Sequence, residues 1–99
     1  MKLWIDDIRA APNGYVRCYT VSEAKEFCKA HEMADIQEIN IDHDAGECGE
    51  DYINLLNWLE EMQFTAGWDI KTTFHIHSFN PVGVKNMLSI IVKNGWTYF

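Results

Sequence analysis

His75-Ile76-His77-Ser78-Phe79-Asn80-Pro81-Val82-Gly83 reads as a strand that turns almost directly into a helix. Pro81 suits the first helical position, where a missing N–H costs nothing, and Asn80 before it is a strong N-cap type. Side chains alternate along a strand, so His75 and His77 share a face. The helix start brings N–H groups and the positive end of its dipole to the point where the strand stops, which favours an anion. Gly83, one turn in, lets a ligand approach the backbone closely.

Working outward, the same grammar repeats. Leu3-Trp4-Ile5 is a short apolar strand that runs into Asp6-Asp7. Residues 8–14, with Pro12-Asn13-Gly14, are a loop by turn chemistry, and Tyr15 to Tyr19 is a second strand. Thr20-Val-Ser-Glu23 has capping-box spacing and opens a helix with Val21, Ala24, Cys28 and His31 on its inner face. Ile36 to Ile41 is a third strand that ends in Asp42-His43-Asp44. After a loop over Ala45 to Gly49, a second helix is expected from Glu50 to Gln63, with Glu50 and Asp51 facing its dipole. Thr72 to Ser78 is the fourth strand. The third helix runs from Pro81 to Asn94, with Lys93 and Gly95 as its stop, and Trp96 to Phe99 is a short last strand. Strands alternating with helices of about three turns predict an α/β fold, a mainly parallel sheet of four or five strands covered on both faces. Ligands bind outside the carboxyl ends of strands in such sheets. Asp6-Asp7, Asp42-His43-Asp44 and His77-Ser78 all fall at those ends.

Composition narrows the function classes. Ninety-nine residues, 47% of them hydrophobic, fit one domain over residues 1–99 with a core that needs neither disulfide nor structural metal. Cys18, Cys28 and Cys48 form no CxxC pair, which argues against a zinc ribbon or redox motif. Cys18 and Cys28 sit in apolar patterns and read as buried thiols, in keeping with a reducing cytoplasm. The start of the chain has no long apolar run, so neither a signal peptide nor a membrane span is expected. A net charge of −7 with scattered basic residues excludes an extended nucleic-acid surface. It leaves room for a small phosphate-containing ligand or a single RNA end.

The clustered groups differ in weight. Adjacent aspartates after a strand are often loop acids or caps, but at a strand end they also suit Mg²⁺ or Mn²⁺, which take hard oxygen ligands. Three consecutive ionisable groups at Asp42-His43-Asp44 are hard to explain by packing and mark a site. His75 lies about 7 Å deeper along its strand than His77 and reads as a packed, hydrogen-bonded histidine. His77, beside Ser78 at the edge, suits acid–base work. Ser78 reads as a phosphate-oxygen ligand before a nucleophile. Trp4, Trp58, Trp68 and Trp96 read as packing.

The stretches Leu3-Trp-Ile-Asp-Asp-Ile-Arg9, Thr20 to Ala24, Ile41-Asp-His-Asp44 with Gly46, His75-Ile-His-Ser78, Asn80-Pro-Val-Gly83 and Asn86-Met87 together resemble the cyclic-phosphate-processing receiver-like domains. These are compact relatives of response-regulator receivers, and the resemblance spans nearly the whole chain. It implies a receiver-like, flavodoxin-like three-layer sandwich with an acidic metal-binding pocket. The implied activity is that of a metal-dependent phosphoesterase acting on 2′,3′-cyclic phosphate RNA ends or cyclic nucleotides, as in RNA repair. Carried over residue by residue, the implied site is Asp6, Asp7, Asp42, His43, Asp44, His77, Ser78 and Asn80; we expect catalysis by Asp42, His43 and His77, phosphate binding by Ser78, Asn80 and Gly83, and Mg²⁺ or Mn²⁺ held by Asp6, Asp7, Asp42 and Asp44. Ala45 stands where the family usually has Leu, and Phe79 where a small residue is usual. A signalling receiver would match Asp6-Asp7, Asp42 and Ser78. It would also carry a lysine after its fifth strand, which this sequence lacks, and a first helix where Arg9–Gly14 reads as a loop. The alternative function is a non-catalytic module that binds or accepts phosphate and regulates a partner.

Overall fold

The computed structural model describes residues 1–43, 51–78 and 80–99; Asp44, the loop at 45–49, Glu50 and Phe79 lie outside them. Among the described residues five strands form one sheet: β1 (Lys2–Ile5), β2 (Tyr15–Cys18), β3 (Glu38–Ile41), β4 (Thr73–Ile76) and β5 (Thr97–Tyr98). Their order is β2-β1-β3-β4-β5, and every neighbouring pair is parallel. The described helices that connect them are α1 (Val21–Ala30), α2 (Ile53–Thr65) and α3 (Pro81–Lys93). A 3₁₀ turn, Met33–Asp35, precedes β3. This is a receiver-like α/β domain with the alternating elements expected from the sequence. Among the described residues, no helix is long and apolar enough to cross a membrane.

The register divides the sheet into two unlike faces. Leu3, Ile5, Cys18, Ile39, Ile41 and Phe74 are buried in one hydrophobic cluster with Val21, Ala24 and Cys28 of α1, Leu55, Leu56 and Leu59 of α2, and Met87 and Ile91 of α3. The alternate residues form the other face. On it Lys2 and Thr97 are exposed, and Tyr15, Arg17, Glu38, Thr73 and His75 are partly exposed. The connections explain the division. From β2 to β3, β3 to β4 and β4 to β5 the chain steps the same way across the sheet, so right-handed crossovers put all three helices on one face. The only step in the other direction, β1 to β2, is made by a helix-free segment. The expected covering of both faces, with its three layers, is therefore a correction: among the described residues the domain has two layers, one of sheet and one of helices.

Helix ends follow the local chemistry. Thr20 Oγ1 accepts the Glu23 N–H at 3.0 Å, and Glu23 Oε2 reaches back to the Tyr19 N–H at 3.2 Å. Gly95, at φ 70°, closes α3: its N–H donates to Val92 O at 3.1 Å and that of Trp96 to Ile91 O at 3.0 Å. Two expectations differ. His31 is exposed, just past the end of α1, rather than inward. No acidic residue stands in the first turn of α2, which begins at Ile53; Asp51 lies before it.

Candidate functional site at the carboxyl edge

Asp6, Asp42 and His77 each continue a strand by one residue. Ladder bonds run from the Asp6 N–H to Cys18 O at 3.2 Å, from Asp42 to Ile5 O at 2.9 Å and from His77 to Ile41 O at 2.9 Å. All three have the parity of the helix-free face, so their side chains meet at its carboxyl edge. Asp6 is fully buried and Asp42 is 5% exposed. Asp6 Oδ1 accepts the backbone N–H groups of Ile8 at 2.8 Å and Arg9 at 3.1 Å, which ties the loop after β1 into a tight turn. Asp42 Oδ1 accepts the His43 N–H at 2.7 Å. The remaining oxygens, Asp6 Oδ2 and Asp42 Oδ2, each lie 3.2 Å from Arg9 Nη1.

His77 is held on three sides. Nε2 donates to Asp6 Oδ2 at 2.9 Å, and Nδ1 meets the side-chain amide of Asn40. The ring stacks on the Trp4 indole, with centroids 3.9 Å apart and planes 8° from parallel. Trp4 Nε1 in turn donates to Arg9 O at 3.0 Å. Burial pushes the His77 pKa below its ordinary value and outweighs the opposing pull of Asp6. Burial also works to raise the Asp6 pKa, but the Ile8 and Arg9 N–H groups, His77 and the Arg9 guanidinium together hold it below the usual carboxylate range.

Ser78, Asn80 and His43 sit at the start of α3. Ser78 Oγ accepts the Asn80 N–H at 3.2 Å, and Asn80 Oδ1 caps the helix by accepting the Gly83 N–H at 3.0 Å. Asn80 Nδ2 lies 3.5 Å from His43 Nδ1. The space that a Cβ at Gly83 would need is filled by the His43 ring, whose Cγ would lie 2.3 Å from it. Gly83 thus admits an imidazole against the helix backbone.

His75 Nδ1–H donates to Phe99 O at 2.6 Å, and the ring stacks on that of Phe99 with centroids 4.6 Å apart. It is the packed, hydrogen-bonded histidine expected from its depth. Asp44 lies outside the described residues. Sequence reasoning missed three partners. Arg9 was part of a motif without a role, Trp4 counted as packing only, and Asn40 was not singled out. A signal for Asn40 existed: an amide between Ile39 and Ile41 in a core strand, at the parity of Asp42.

Two carboxylate oxygens converging on one cationic nitrogen fit a hard divalent cation. Asp7, next to Asp6 in the chain, has a buried Oδ1 without a hydrogen-bond partner among the described residues. Among those residues no three His, Cys, Asp or Glu side chains are already drawn around a common metal position; the point between Asp6 and Asp42 is held by Arg9.

A family model described as the cyclic-phosphate processing receiver domain matches residues 1–93. The chain belongs to that family. No curated protein and no solved structure matches it.

Proposed function

We propose that this member of the family is a divalent-metal-dependent phosphoesterase that opens cyclic phosphates, on 2′,3′-cyclic phosphate RNA ends or cyclic nucleotides. The observation that carries the reading is the convergence of Asp6 and Asp42 on a single cation position, 3.2 Å from each, at the same sheet edge as the start of α3. Asp6, Asp7 and Asp42 hold Mg²⁺ or Mn²⁺, with Asp44 as a further ligand. A cation bound there supplies positive charge to the phosphoryl oxygens as the ring opens. The hydroxyl of Ser78 and the first turn of α3 hold the non-bridging oxygens. His43, against that turn, gives a proton to the departing ribose oxygen; such general acid help contributes about 10²–10⁴-fold. His77, with one nitrogen on Asp6 and the other on Asn40, orients the carboxylate. Water thus adds across one P–O bond, its oxygen to phosphorus and a proton to the ribose.

The test is phosphorus NMR of a 2′,3′-cyclic nucleotide and of an RNA ending in a cyclic phosphate, each incubated with the protein and Mg²⁺ or Mn²⁺. The expected result is replacement of the cyclic signal by a phosphomonoester, lost in Asp42→Asn and reduced in His43→Ala. Tight binding without turnover would make the domain a sensor and remove the catalytic assignment.

A further inference from the structure

Arg9 stands where the acidic pocket calls for a cation. One nitrogen, Nη1, is 3.2 Å from a buried oxygen of Asp6 and 3.2 Å from one of Asp42. Two carboxylates taken out of water and set beside each other do not both stay ionised without a positive partner. The guanidinium is that partner, but it brings one charge to two acids. A divalent ion brings two and binds oxygen at about 2.0–2.1 Å in the case of Mg²⁺. An ion at that distance from both carboxylates and a guanidinium nitrogen cannot share the space between them.

The two sides of the contact differ in freedom. The Asp6 and Asp42 side chains are 0% and 7% exposed and extend strands, whereas that of Arg9 is 39% exposed and sits in a loop. If one partner gives way, it is the arginine. Its way out is short. Arg9, Ile76, His77 and Ser78 line one small cavity of about 270 Å³ at the sheet edge. A guanidinium displaced from the carboxylates stays beside Ser78, and its planar fork matches a phosphate.

We propose that Arg9 is an exchangeable counter-cation: it neutralises Asp6 and Asp42 while no metal is bound, yields that place to a divalent ion, and then becomes a phosphate ligand next to Ser78. This rests on the reading that the pocket takes a divalent ion.

Magnesium and inorganic phosphate are the probes, titrated separately by calorimetry into wild type, Arg9→Gln and Arg9→Lys, each first shown to fold by circular dichroism. Removing an internal competitor should tighten Mg²⁺ binding in Arg9→Gln by about tenfold, within the usual range of coupling between sites, with Arg9→Lys between it and wild type. Phosphate binding to the Mg²⁺-saturated protein should weaken in Arg9→Gln. In wild type the side-chain Nε–H signal of Arg9 should move with Mg²⁺ occupancy in nitrogen-15 NMR, a readout that needs no variant. Unchanged or weaker Mg²⁺ binding in both variants, with a stationary Arg9 signal, overturns the exchange while leaving the metal reading intact. No Mg²⁺ binding in wild type or variants overturns the metal reading, and the exchange with it.

Discussion

Gly83 shows how one missing atom positions a functional group. A Cβ there would meet His43 Cγ at 2.3 Å, Cδ2 at 2.4 Å and Nδ1 at 2.6 Å, so the ring must leave if alanine is introduced. Alanine gains about 1 kcal/mol of helix propensity over glycine, but overpacking costs about 1–3 kcal/mol. Gly83→Ala should lower the melting temperature and shift the His43 ring resonances, and in a His43→Ala background it should become neutral or stabilising. An equal loss in both backgrounds would remove His43 from the account. His77 carries a second prediction. Its folded pKa lies below its unfolded value, so the unfolded chain binds the proton more readily. The stability it contributes is therefore complete above about pH 6.5, the unfolded value, and is lost as pH falls towards the lower folded one. Asp6, also depressed, acts in a separate window: its contribution is present above about pH 3.9 and lost below it. Melting temperature should fall between pH 7 and 5, and the fall should flatten in His77→Gln; an unaltered slope would show that another group sets it. The strand-end position was enough to put His77 at the same sheet edge as Asp6. It did not reveal that both ring nitrogens are engaged, because Asn40 and Asp6 come from other strands.

At the scale of elements, the helices were legible where local chemistry ends them and illegible where tertiary contact does. The capping spacing at Thr20 to Glu23, the cap at Asn80 with Pro81 and the glycine stop at Gly95 all read correctly, because each satisfies orphan backbone groups within a few residues. The start of α2 read wrongly. Glu50 lies outside the described residues, Tyr52 at the N-cap gives no side-chain cap, and that residue is fully buried. The Tyr52 hydroxyl donates to Tyr19 O at 2.7 Å, so the helix entry is pinned to the segment after β2. No pattern within residues 50–63 encodes that partner. The local cap makes a clean comparison. Thr20→Ala removes the acceptor of the Glu23 N–H and should cost about 1 kcal/mol, measured by urea denaturation with an unchanged m-value. A loss below about 0.3 kcal/mol would mean that the Glu23–Tyr19 contact alone holds the start of α1.

For the whole molecule, the layer count was the largest misreading, and its cause is topological. Strand–helix alternation implies helices on both faces only if the chain crosses the sheet in both directions with helices. Here the three helical crossovers run the same way, and the reverse step from β1 to β2 has none. The strands carried the clue: Leu3, Ile5, Ile39 and Ile41 alternate with Lys2, Trp4, Glu38 and Asn40, the pattern of a sheet with one wet face. The site uses that asymmetry, because Asp6, Asp42 and His77 belong to the helix-free face while α3 starts from the covered side. The covered side has its own test. Cys18 and Cys28 are 3% and 1% exposed between sheet and α1. Burial pushes the Cys18 thiol up to about 11 and the Cys28 thiol up to about 12. Only the thiolate reacts, so neither thiol should be alkylated while the sheet–helix layer is closed. Labelling with iodoacetamide across a urea series, located by peptide mass mapping, should therefore give both residues the same midpoint as the circular-dichroism transition. If either thiol reacts well below that midpoint, α1 opens away from the sheet separately, and the helical layer is not one cooperative unit.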